Sequence, residues 1–342
     1  VIAFPDAIGR VLSAPVLDAG VVGDAFEAIL SGEWTAVQVG AFAMAVRARG
    51  ETAEAIAAAA RALRAHMTVV DHGLALVADT CGTGGDGAHT LNVSTAAAIV
   101  VAACGVPVAK HGNRSISSRC GSADVIEALG ISIDQVPDTE KQARLLRDVN
   151  IAFLFAPAHH PALKHAALAR RELGVRTIFN ALGPIANPAR ATHQVIGVYD
   201  DALRPVLARV LADLGCERAW IVHSEDGLDE VSSAAPTRVS EAHHGVVTER
   251  IVDVHDFGLP AMGLSAIRGG DAPQNARTIE AILEDPTHEG SSAVLLNAAA
   301  MLYVCERART LREAADAALD AVRSGAARRK LDEWQKASAS VT

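Results

Sequence analysis

The sequence predicts an α/β protein, with a small all-helical domain over residues 1–70 and a larger domain with a central, mainly parallel sheet over 71–342. Two observations carry this. Residues 1 to about 67 repeat their apolar positions at helical spacing, as in Val39, Phe42, Ala43 and Val46. From Leu74 onward, short apolar runs alternate with helix patterns, and the stretch Asp79 to Gly130 orders them as apolar run, glycine loop, helix, apolar run, polar loop. That order sets both loops at the ends of sheet strands.

The elements follow in chain order. Thr35 and Gln38 form a capping box, Gly50 ends that helix, and Thr52 caps the next, Ala53 to Met67. Ala96 to Cys104 reads as a helix and Val106 to Ala109 as a strand. Ile131 to Val136 is a candidate strand, and Asp138 or Thr139 caps a helix running to about Val149. Ile151 to Phe155 is a compact apolar run, suited to a buried parallel strand. A helix from about Ala162 ends at Gly174, and Ala181 to Pro188 reads as a Gly/Pro-rich elbow. Val195 to Tyr199, a helix with Pro205 in its first turn, and Ala219 to His223 make a strand-helix-strand unit. Thr237 to Glu241 and Val246 to Val252 form a hairpin through His243-His244-Gly245. Asp271 opens a helix, Ser291 to Glu306 is another, and Thr310 with Glu313 is a second capping box.

Composition narrows the function. Half of the 342 residues are hydrophobic, enough for a large core and a smaller one. A net charge of −9 argues against nucleic acid as a partner, because backbone binding needs a broad basic face. Five scattered cysteines (Cys81, Cys104, Cys120, Cys216 and Cys305) lack any CxxC pair and read as reduced thiols of a cytoplasmic protein. The apolar run Ala96 to Ala109 is too short to span a bilayer. Val1 to Ala19 carries Asp6 and Asp18 and does not read as a signal peptide; the missing initiator Met reads as processing or trimming.

Two loops carry the chemistry. Four glycines between Gly82 and Gly87 let successive backbone N–H groups converge on an anion, and Ser94 or Thr95 would cap the helix that follows. The loop lacks a Walker lysine and fits a plain tight turn equally well. The second loop, Lys110-His111-Gly112-Asn113-Arg114, together with Arg119, concentrates cations in an acidic chain and reads as the lip of a site. A solvated basic turn is its simpler reading.

GTGGDG, then N-x-S-T, KHGNR and GSADVIEALG, in this order, resemble anthranilate phosphoribosyltransferase. The resemblance continues through HPALKHAALARRELGVRTIFNALGPIANPA and DGLDEVS and covers nearly the whole chain. It implies a nucleoside phosphorylase/phosphoribosyltransferase-like fold, with helices from about 162–186 joining the helical domain. The implied reaction moves the phosphoribosyl group of 5-phosphoribosyl 1-diphosphate to anthranilate, in tryptophan biosynthesis, by a homodimer using Mg²⁺. Residues implied for the donor are Gly82, Gly85, Asp86, Thr90, Asn92, Val93, Ser94, Thr95, Lys110, His111, Gly112, Asn113, Arg114, Ser117, Ser118 and Ser122. Gly82, Asn113 and Arg170 are implied for anthranilate, and Ser94, Asp229 and Glu230 for the metal.

Residue chemistry bears on each. Arg170 falls on the apolar stripe of its helix with Leu163, Ala166 and Ala167, whereas Arg171 shares a stripe with Lys164. Such an arginine is commonly a snorkelling residue, yet its planar fork also suits a benzoate. Asp229-Glu230 is either a surface acidic turn or a hard-oxygen pair of the kind Mg²⁺ takes beside phosphate. His159-His160 and His243-His244 lack a third ligand at zinc spacing, and no GxSxG elbow supports a hydrolase. Two departures from the family stand out: Cys120 replaces the usual serine, and Ile-Ala-Asn-Pro at 185–188 replaces Leu-Thr-Asn-Pro. An aromatic amine needs no strong base, so no residue is assigned acid–base work; Lys110 and Arg170 are expected to act by charge and positioning. Two alternatives stay open, a pyrimidine nucleoside phosphorylase-like enzyme and a non-catalytic nucleic-acid-binding relative of the fold.

Overall fold

The computed structural model describes residues 1–84, 90–115 and 119–339. Four helices open the chain: α1 (Phe4–Ser13), α2 (Ala19–Leu30), α3 (Ala36–Arg49) and α4 (Ala53–Ala65). The Thr35–Gln38 box and the Thr52 cap both form, so local sequence signals set two of these starts.

The remaining chain runs β1 (Ala78–Gly82), α5 (Val93–Ala103), β2 (Val108–Gly112), α6 (Ser122–Ala128), α7 (Thr139–Arg144) and β3 (Ile151–Phe155). It continues with α8 (Ala156–His159), α9 (Lys164–Leu173), α10 (Ile178–Ile185), β4 (His193–Gly197), α11 (Leu203–Asp213) and β5 (Arg218–Ser224). The hairpin β6 (Thr237–His243) and β7 (Val246–Val252) precedes α12 (Ala272–Glu284), α13 (Ser291–Val304), α14 (Leu311–Arg323) and α15 (Ala326–Ala339). Among the described residues no helix is long and apolar enough to cross a membrane, and all five cysteines are free.

One seven-stranded sheet has the order β3-β2-β1-β4-β5-β6-β7. Its first five strands are parallel, and β6 and β7 pair antiparallel. Strand alternation divides the apolar core between the two faces. Val195, Trp220 and Val222 face a layer built on α5, α13, α14 and α15. Ile196, Ala219 and Ile221 face α11, and their cluster runs on into α2, α3 and α4. Helices α9 and α10 pack on α3, and α10 also packs on α4. The chain therefore returns to the helical layer before re-entering the sheet.

The order of strands reverses beside β1: the chain moves outward to β2 and β3, then comes back to β4 on the other side. Such a switch point leaves a crevice at the carboxyl ends of the strands, where ligands of open α/β sheets bind.

Two expected elements differ. Ile131 to Val136 is not a strand; Ile131 is buried, Val136 is exposed, and the Ser132 N–H donates to Ser338 Oγ of α15 at 3.3 Å rather than to a ladder. Most of the elbow 181–188 is helical, because Thr177 and Asn180 form a capping box that starts α10. Pro184 lies in its last turn, where its carbonyl accepts from Gln194 Nε2 at 3.0 Å.

Candidate functional site

At the switch point, β1 ends in Gly82 and β4 in Gly197. The Thr83 N–H donates to the Gly197 carbonyl at 2.9 Å, and Thr83 Oγ1 accepts from the Tyr199 N–H at 3.1 Å. The glycine loop therefore leaves the sheet pinned to the end of β4. Gly84 takes a left-handed φ of 67°, a conformation with no steric cost for glycine. Gly85 and Asp86 lie outside the described residues, as do Ser117 and Ser118.

Two carboxylates from the chain after β5 meet this turn. Asp229 Oδ2 accepts the Gly84 N–H at 2.9 Å, and Glu230 Oε1 accepts the Ser94 N–H at 3.2 Å in the first turn of α5. Both bonds suit a helix start and glycine turn that present unpaired N–H groups. The approach needs missing side chains. A Cβ on Gly82 would lie 2.6 Å from Asp229 Oδ2, and one on Gly197 would collide with the Asp229 carbonyl. Asn297 on α13 holds the segment from behind, its Oδ1 accepting the Val231 N–H at 3.0 Å and its Nδ2 donating to the Val231 carbonyl at 2.9 Å. A lone buried Asn inside an apolar helix was the available sequence signal for this clamp.

Lys110 and His111 do not belong to a polar lip, as the sequence reading had them; both lie on β2 and are buried. Lys110 Nζ donates to the Thr80 carbonyl and to Ser94 Oγ at 3.3 Å, so its charge reaches the site from beneath the sheet's end. Asp79 is fully buried beside it. Burial pushes the Asp79 carboxyl up, while Lys110 and the Asn187 amide, donating at 2.8 Å, pull it back. Asn187 Nδ2 also donates to the Ala109 carbonyl, so this Asn, which the 185–188 loop shares with the family pattern, bolts β1 to β2. Asp79 and Asn187 were not among the expected site residues.

His111 is not a cation either. Burial, then the neighbouring rings of His160 and His159, hold its imidazole well below the ordinary histidine range. Arg114 is exposed, but it pairs with Asp124 at 3.0 Å and with Glu127 at 2.7 Å. Of the cations expected in this stretch, His111 is thus neutral and Arg114 is paired within the chain. Its backbone is ordered by α6: Asn113 N–H donates to Ser122 Oγ at 3.2 Å, and Gly121 leaves room for the 113–115 turn.

At the start of α5 the expected cap also differs. Asn92, not Ser94 or Thr95, is the N-cap residue, and its side chain makes no cap bond. Val93 and Thr95 are buried, so the Val93 side chain belongs to the core and Val93 can offer a ligand only backbone. Thr90 forms a single antiparallel bridge to Arg268, and the Leu91 N–H donates to the Ile267 carbonyl at 2.7 Å.

On α9 the buried positions are Ala166 and Ala169, not Ala167. Arg170 remains on that side, partly buried, with its guanidinium 5.6 Å from the centre of the Phe179 ring, whereas Arg171 is exposed. Burial alone lowers the Arg170 pKa, and no carboxylate pairs with it among the described residues. A desolvated guanidinium without an acid partner is suited to an incoming carboxylate.

The geometry gathers one glycine turn, one helix start, a buried lysine and two carboxylates. Among the described residues no three His, Cys, Asp or Glu converge as a metal cluster. Two carboxylates with the Ser94 hydroxyl do fit an ion that takes few protein oxygens and completes its shell with phosphate and water.

The helical-bundle domain of the glycosyl transferase family matches residues 5–67, and the a/b domain of that family matches 74–328. An anthranilate phosphoribosyltransferase from Symbiobacterium thermophilum is 50% identical over 308 residues, 90% of each chain. This chain belongs to the anthranilate phosphoribosyltransferase family. A family member from Methylobacterium radiotolerans is 47% identical over 98% of this chain and 96% of its own. The Thermus thermophilus anthranilate phosphoribosyltransferase structure superposes with a TM-score of 0.92 at 36% identity, covering 98% of this chain and 100% of that one. A Saccharomyces cerevisiae family member solved in complex with PRPP and Mg gives 0.90 at 29%, covering 99% and 98%. These relatives support the transferase reading over the phosphorylase-like and nucleic-acid-binding alternatives.

Proposed function

We propose that the crevice at the ends of β1 and β4 binds 5-phosphoribosyl 1-diphosphate and that Arg170 presents anthranilate to it. The protein transfers the phosphoribosyl group to the anthranilate amine, giving N-(5-phosphoribosyl)anthranilate and pyrophosphate. The observation that carries the site reading is the meeting of Asp229 and Glu230 with the Gly84 turn and the Ser94 helix start. Residues remote in sequence assemble there into a surface for a metal–diphosphate rather than for a bare anion.

In this reading the Gly82–Gly84 backbone and the 90–95 segment hold the diphosphate, and the turn at 112–114 with Ser122 holds further phosphate oxygens. Lys110 supplies positive charge from below while fixing the Ser94 hydroxyl. Asn113 and Gly82 flank the acceptor, whose carboxylate pairs with the Arg170 fork. Asp229, Glu230 and Ser94 would hold Mg²⁺, which when bound offsets the charge that develops on the leaving pyrophosphate. An aromatic amine is already a nucleophile at neutral pH, so charge and alignment carry the acceleration.

The helical part, residues 1–70 with helices of 162–186, closes on the rest of the part spanning 71–342 and shields the ribosyl centre from water. Val37 and Met44 on α3 and Leu168 on neighbouring α9 leave an exposed apolar face, which supports a homodimer through the helical layer. Five free cysteines suit the reducing cytoplasm.

Anthranilate fluorescence tests the reaction. It should fall when the diphosphate donor and Mg²⁺ are added together with the protein. A signal that stays constant at micromolar protein overturns the assignment.

A further inference from the structure

Behind the start of α5, two asparagines join three loops. Asn275, in the first turns of α12, is buried, and its Oδ1 accepts the Gly270 N–H at 2.7 Å. Its Nδ2 donates to Asn92 Oδ1 at 3.0 Å. Asn92 Nδ2 donates in turn to the Cys120 carbonyl at 3.3 Å. Backbone groups anchor both ends of this chain of amides: an N–H can only donate and a carbonyl can only accept, so neither amide can flip without leaving two like groups face to face. Asn92 is also the residue at which α5 begins, although it makes no cap bond there. Its side chain is held from outside the helix instead.

We propose that Asn275 is a positioning residue for the diphosphate donor, acting through Asn92 to set where the first turn of α5 meets the donor's phosphates. The inference rests on the reading of the 90–95 segment as part of the donor site. Asn275 itself touches no substrate in this scheme. Its side chain bonds Gly270 and Asn92, and Asn92 in turn bonds the loop before α6, so it ties the C-terminal part of the fold to the donor segment.

A double-mutant cycle with Asn92→Ala tests this, with both Michaelis constants and the melting temperature measured for each variant. Asn275→Ala should raise the constant for the donor about tenfold or more, with that for anthranilate within about twofold. In the Asn92→Ala background the same change should add less than about twofold. Asn275→Asp keeps the shape and the acceptor for Gly270 but turns an oxygen toward Asn92, so it should reproduce the donor defect. It also serves as the test should the alanine variant not fold. Effects that multiply independently in the cycle, or a melting temperature that falls while the donor constant stays native, overturn the proposal. The wild-type protein run alongside separates this from the reaction assignment: an inactive wild type sinks that assignment, whereas an active one with an indifferent Asn275 sinks only the positioning role.

Discussion

Arg170 and Arg171 are sequence neighbours about 100° apart around one helix, and their surroundings differ accordingly. Arg170 packs near Phe179 with its charge partly desolvated, and Arg171 projects into solvent. Removing the first should cost roughly 1.5–3 kcal/mol of charge-assisted hydrogen bonding to the acceptor carboxylate, or about ten- to 150-fold in its Michaelis constant. Steady-state kinetics of Arg170→Ala check this, and Arg171→Ala should be nearly silent; the reverse ranking would move the acceptor site to the other face of α9. The acidic pair permits a parallel test. Asp229→Ala with Glu230→Ala should abolish turnover together with its response to Mg²⁺, and normal turnover of the wild type in excess chelator would remove the metal from the scheme.

Among the elements, the two glycines that admit Asp229 separate fold from function. Gly197 ends β4 against the Asp229 backbone, which cannot move without shifting the whole 228–232 segment. Gly197→Ala should therefore destabilise the fold by roughly 1–3 kcal/mol, read from urea unfolding. Gly82 meets first the Asp229 carboxylate, the distal end of a side chain, with the Asp229 backbone oxygen only at an ordinary 3.6 Å, so Gly82→Ala should cost less stability than Gly197→Ala, yet need more Mg²⁺ for half-maximal rate. Equal stability loss in both would show that the carboxylate is as fixed as the backbone. The strands β3 and β4, the hairpin and the starts of α3, α4, α7, α12 and α14 were legible because period, caps and turn residues act locally. The burial of Lys110 and His111 was not, since a basic pair followed by glycine looks like a surface turn until β1 and β3 close over it from both sides. The amide chain from Asn275 to Asn92 was hidden for a related reason. It joins residues 183 positions apart, and no local pattern records such a bond.

For the molecule as a whole, three buried histidines stand near the junction of the helical layer and the sheet. His159 ties that junction directly: its Nδ1 donates to the Thr68 carbonyl at 2.8 Å, and the Thr68 N–H donates to the His159 carbonyl at 2.8 Å. The ring of His160 lies 5.2 Å from that of His111. Burial first, then for His111 and His160 the proximity of other imidazoles, lowers the pKa of all three, with His160 pushed down to about 4. Each is therefore neutral in the fold at a pH where the unfolded chain has already bound a proton. Their stabilising effect is complete above the unfolded value of about 6.5 and declines as pH falls toward the folded values, at about 1.4 kcal/mol per pH unit for each histidine. Acid should loosen the protein between pH 6.5 and about 4, beginning above the range in which ordinary carboxylates titrate. His160→Gln retains a polar side chain of similar reach without the titration. Its melting temperature should fall less steeply over that interval than the wild type's, by the equivalent of about one proton, and the two profiles should run parallel above pH 7. Profiles that stay parallel down to pH 4 would mean that His160 takes up its proton without unfolding the chain, and that the junction yields to acid through other groups.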